Sequence, residues 1–214
     1  MPGVLHAKPD LRVFLKWMIA GSGSVITDVI TPKQMTETSI STQELNAFCD
    51  DIRGESDRAA VIIGAAKLDQ MLHELIQQVL LPSSTGRDDL LDSDRGVGTF
   101  SARINLSHRL GLIDSEFAWA MHIIRRIRNT FAHQPATSTL DSGTERDRVR
   151  ELVNVMKKFP LYNDVALPKF DDGTGTPSGE FRAALSVFYI RLESAAESFQ
   201  RLDGSKAFFI LPTA

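Results

Sequence analysis

Apolar positions in this chain recur at steps of three and four residues, and no stretch of useful length alternates as a strand would. The clearest run is Glu55 to Leu81. There Ile62, Ala65, Ala66, Asp69, Leu72, His73, Ile76 and Leu80 fall at helical spacing, and Pro82-Ser-Ser-Thr-Gly86 stops the pattern. Ahead of it, Leu45 and Phe48 predict a shorter helix, with Ser41 and Glu44 at the spacing of a capping box. Thr99 to Leu110 predicts a third, ended by Gly111. Asp114 opens a fourth, with the stripe Phe117, Ala120, Met121, Ile124, Ile127, Arg128 and Phe131, and Pro135 closes it. Glu145 to Phe159 predicts a short charged helix. Pro160 to Gly179, with Pro168, Gly173, Gly175 and Pro177, predicts a long connector. In the last helix, Gly179 to Arg201, the pattern turns Phe181, Leu185, Phe188, Leu192, Ala195, Ala196 and Phe199 inward. The expected fold is all-α, a bundle of four to five main antiparallel helices with short extra helices. Residues 1-40, with one short helix around Leu11 to Ala20, read as an N-terminal extension. Residues 41-203 form the bundle and 204-214 an apolar C-terminal tail.

Composition narrows the chemistry. With 214 residues and 43% hydrophobic content, the chain is long enough for one well-buried domain. A net charge of -3 gives no global attraction to nucleic acid or acidic membrane, although a local basic patch stays open. Cys49, the single cysteine, excludes an internal disulfide and a cysteine-based metal cluster. Arg12 and Lys16 interrupt the apolar stretch at Leu11 to Ala20, which is too short for a membrane span, so a cytoplasmic protein is expected. His73, His108 and His122 fall on different helices without carboxylates at metal-ligand spacing. No metal or cofactor is expected.

Two charged residues stand inside apolar stripes, Asp69 and Arg128. A lone buried charge costs several kcal/mol, roughly, whereas a carboxylate and a guanidinium satisfy each other through parallel hydrogen bonds. The expectation is a structural ion pair, Asp69 with Arg128, that fixes how two helices register. Arg125, Arg126 and Arg128 cluster in sequence, with Arg103 and Arg109 on the preceding helix. This group reads either as a solvated face or as an anion-binding site made by Arg103, Arg125 and the Gly96-Val-Gly98 turn. The turn lacks the Gly-Lys-Ser ending of a phosphate loop and otherwise serves to start a helix near Thr99. No helix-turn-helix and no long basic helical face appears, so direct DNA binding is not expected.

Arg128-Asn-Thr-Phe-Ala-His133 resembles the Arg-x(4 to 6)-His motif of the helical superfamily called HEPN. In its metal-independent ribonucleases the resemblance implies His133 as proton shuttle, Arg128 steadying a phosphate and Asn129 orienting the two. Five residues on an ideal helix turn through about 140°, so joint action requires a loosened helix end or a second chain. A narrower resemblance covers more of the chain. Ser56 to Asp69, Leu90 to Ile104, Leu110-Gly-Leu-Ile-Asp114 and Arg125 to His133 follow one another as in the mannitol operon repressor family. It implies a non-enzymatic transcriptional regulator or co-regulator, a homodimer working through protein-protein contacts with a partner such as a transcription factor. The alternatives are a HEPN-type ribonuclease acting on RNA, and a nucleotide or small-anion binding module.

Overall fold

A computed structural model describes residues 44–92, 96–133, 138–170 and 175–204. The chain divides into two compact units, Met1–Gln43 and Glu44–Ala214, and every described residue lies in the second. The expected helix around Leu11 to Ala20, the Ser41 cap and the apolar tail lie outside the described residues.

The fold is all-α, with no strand among the described residues. Helix α1 covers 44–53 and buries Leu45, Phe48 and Ile52. Helix α2 is Asp57–Val79, α3 Phe100–Arg109, α4 Ser115–His133 and α5 Gly143–Met156. A π-helical turn at Tyr162–Ala166 runs into the short α6, Leu167–Phe170, and α7 is Pro177–Ser198.

Most helix ends are set by local chemistry. Ser56, Thr99 and Thr176 accept backbone N–H groups of Ala59, Ala102 and Gly179, each at 3.2 Å, and so start α2, α3 and α7. Asp114 does the same for Phe117 at 2.8 Å ahead of α4. Helix α3 ends as the sequence predicts. Gly111, at φ +73°, donates to the His108 carbonyl and Leu112 to that of Ser107, which satisfies the last carbonyls of the helix.

Helix α7 is the centre of the bundle. It packs on α2, α5 and α6 and buries residues around its whole circumference from Phe181 to Ile190. Helix α2 also packs on α3 and α4. Its buried face is Val61, Gly64, Ala65, Leu68, Leu72, Leu75, Ile76 and Val79, rotated from the predicted stripe. Ala66 is exposed and Asp69 and His73 are half-buried at the margin. The helix is apolar on several sides, so spacing alone left its rotation open. Gly64 lets α2 and α7 approach closely, because a Cβ there would collide with the side chain of Leu185.

The expected connector at Pro160 to Gly179 is partly helical. Tyr162 is fully buried, and Val165 and Ala166 are buried beside it. Pro168 lies in α6 directly after the π-helical turn.

A largely enclosed ion pair joins Asp57 at the start of α2 to Arg182 on α7, with side chains 15% and 8% exposed. Arg182 donates through Nε to the Ile52 carbonyl at 2.9 Å and through Nη2 to that of Glu55 at 2.8 Å. Its Nη1 meets Asp57 Oδ1 at 3.2 Å and contacts Ser178. Asp57 Oδ2 accepts from Thr139 Oγ1 and the Leu140 amide, each at 2.9 Å. One carboxylate therefore ties together the starts of α2 and α7 and the loop before α5.

Candidate anion-binding cleft

Helices α2, α3 and α4 enclose a cleft of about 730 Å³. Ala65, Ala66, Asp69, Gln70 and His73 line it from α2. Gly98, Thr99, Phe100, Ser101 and Arg103 do so from the start of α3, and Arg125, Arg128 and Asn129 from α4. The small side chains of Ala65 and Ala66 leave room that a larger pair would fill. On α4, Arg125 is half-buried and Arg128 exposed, flanking the buried Ile124 and Ile127.

The expected pairing of Asp69 with Arg128 is corrected by this geometry. Asp69 Oδ1 takes Arg103 Nη1 at 2.7 Å, with side chains 29% and 13% exposed. Arg128 forms no ion pair among the described residues, and its Nη1 donates to Asn129 Oδ1 at 3.2 Å. The reason is rotational. Arg128 follows the buried Ile127 by one residue, about 100° of turn, which carries it out of the α4 stripe. Arg103 reaches the acid from the adjacent helix instead.

The cleft brings together Arg103, Arg125 and Gly98 from the expected anion-binding set, and adds Arg128, Thr99 and Ser101. Gly96 is not part of its lining. At φ +49° a Cβ on Gly96 would lie 2.9 Å from the Leu90 carbonyl oxygen, and Val97 donates to that oxygen at 2.8 Å, so Gly96 closes the loop before α3.

Charge in the cleft is unbalanced. Among the described residues, three guanidiniums face one carboxylate, in a chain whose net charge is -3. Arg103 spends one donor on Asp69, and its buried Nε has no hydrogen-bond partner among the described residues. The Nε of Arg125 is likewise buried without a partner among the described residues. Next to Arg125 on α4, burial and then the charges of Arg125 and Arg126 hold His122 below the ordinary histidine range.

His133 is exposed in the last turn of α4 and does not line the cleft. Arg128 and His133 belong to one unbroken helix, so the two ends of the ribonuclease-like motif face different surroundings in a single chain. Among the described residues, no group of three His, Cys, Asp or Glu side chains is placed to hold a metal ion. Nor is any described helix long and apolar enough to cross a membrane.

Sequence reasoning found the cleft's arginines but assigned one to the wrong partner, and it missed Asp57 with Arg182. A signal for the latter existed, because Arg182 and Ser186 interrupt the otherwise apolar stretch from Phe181 to Ile190. No protein-family model, curated protein or solved structure matches this chain.

Proposed function

We propose that this chain is a non-enzymatic regulatory protein of the mannitol operon repressor type, acting through protein-protein contacts and carrying an anion-binding cleft. The order of the four segments that resemble that family supports this reading. The observation that carries the binding reading is the convergence of Arg103, Arg125 and Arg128 on one cleft where Asp69 is the one acid among the described residues. Guanidinium groups gathered in a partly enclosed space repel one another, and a bound anion offsets that repulsion. Its volume falls within the range of small-molecule sites, about 300–1,000 Å³.

Thermal unfolding tests the reading. Millimolar citrate, sulfate or phosphate at constant ionic strength should raise the melting temperature of the wild type, because a bound ligand stabilises the folded state by mass action. Arg125→Ala should respond less. Equal responses from both proteins would remove the cleft as the site. Single-stranded RNA should stay intact with the purified protein, and metal-free cleavage lost in His133→Ala would replace this reading with the ribonuclease one.

A further inference from the structure

We infer, resting on the anion-binding reading above, that the cleft takes the phosphate group of a small phosphate monoester. Donors reach it from several directions. Arg125 and Arg128 come from α4, Arg103 from the body of α3, and the first turn of α3 opens on the same space. In that turn Thr99 Oγ1 satisfies the Ala102 amide at 3.2 Å. The Phe100 and Ser101 amides precede it in the helix and have no intrahelical acceptor. Helix N-termini favour anions, and Ser101 belongs to the same lining.

The distribution of these donors selects the ligand's shape. A carboxylate presents two oxygens in one plane and is satisfied by a single guanidinium fork. A phosphate monoester presents three terminal oxygens in three directions and carries close to two negative charges at neutral pH. Asp69 withdraws only one donor of Arg103 from this set. Two charges on the ligand match the two guanidiniums that no carboxylate pairs among the described residues, Arg125 and Arg128. A phosphodiester, with one charge, leaves that field half answered. A phosphate group alone is small against a cleft of about 730 Å³, so the remaining space accommodates the body of the molecule beside Ala65, Ala66 and Phe100.

The test is calorimetric titration of the full chain with phenyl phosphate, dimethyl phosphate, benzoate and sulfate at one ionic strength. Phenyl phosphate should bind saturably and roughly tenfold more tightly than benzoate or dimethyl phosphate. Arg125→Ala should weaken it about tenfold, as expected for one lost charged hydrogen-bonding group. Arg128→Ala, at an exposed position, serves as the second variant and should weaken it in the same sense. Saturable benzoate binding, equal to or tighter than phenyl phosphate and lost in Arg125→Ala, overturns the phosphate assignment while leaving the anion cleft standing. Absence of saturable binding for every anion, or binding unchanged in both variants, overturns the cleft itself. A phosphoserine heptapeptide that binds more tightly than free phosphoserine would shift the phosphate to a partner protein and overturn the small-molecule assignment.

Discussion

At Asp57 burial works against ionisation, yet hydrogen bonds from Ser178, the Leu140 amide, Thr139 and Arg182 outweigh it and hold the carboxyl below its ordinary value of 3.8. The sign of the consequence is fixed. With the folded-state value lower than the unfolded one, the unfolded chain takes up the proton first as pH falls. The contribution of Asp57 is therefore complete above the unfolded value and disappears as pH drops through the folded one. Urea midpoints should fall as pH goes from about 5 toward 3, and Asp57→Asn should flatten that part of the profile. At neutral pH, Asp57→Ala should cost about 3–5 kcal/mol in chemical denaturation, because Arg182 is left buried without its acid. Arg128→Ala should change stability by less than about 0.5 kcal/mol, since its side chain is exposed and pairs with no acid among the described residues. The reverse ranking, with Arg128 the costlier loss, would restore the structural role that the sequence pattern suggested.

Between helices, two glycines separate packing from backbone conformation. Gly64 sits where α2 crosses α7, and any Cβ there meets the fully buried Leu185. Alanine gains helix propensity but must displace that side chain, so Gly64→Ala should destabilise by about 1–3 kcal/mol. Gly111 has open space around its Cβ position and φ +73°. Gly111→Ala should cost about 1 kcal/mol from backbone strain alone, with Gly111→Asn milder because asparagine tolerates the left-handed region. Thermal melts of the three variants distinguish the two causes. The same scale shows where the pattern of residues sufficed. Thr99, Asp114 and Gly111 marked helix ends by chemistry contained within four residues. Tyr162 could not be read as buried, because its environment comes from α7, and its hydroxyl lies 3.5 Å from the Glu180 carbonyl oxygen.

Across the whole molecule, the α2-α3-α4 cleft and the exposed end of α4 are distinct surroundings for two halves of one sequence motif. His133→Ala should accordingly leave anion binding and stability unchanged within about 0.5 kcal/mol, whereas Arg125→Ala should weaken binding about tenfold, as measured by titration. The sequence by itself determined the helical class, most helix ends and the residues available for anion chemistry. These depend on local periodicity and on contacts a few residues away. Tertiary structure alone decided that Asp69 meets Arg103, that Asp57 meets Arg182 and that Arg128 opens on the cleft. Each residue turns a helix by about 100°, so an error of one position in the stripe changes which neighbouring helix a charge can reach.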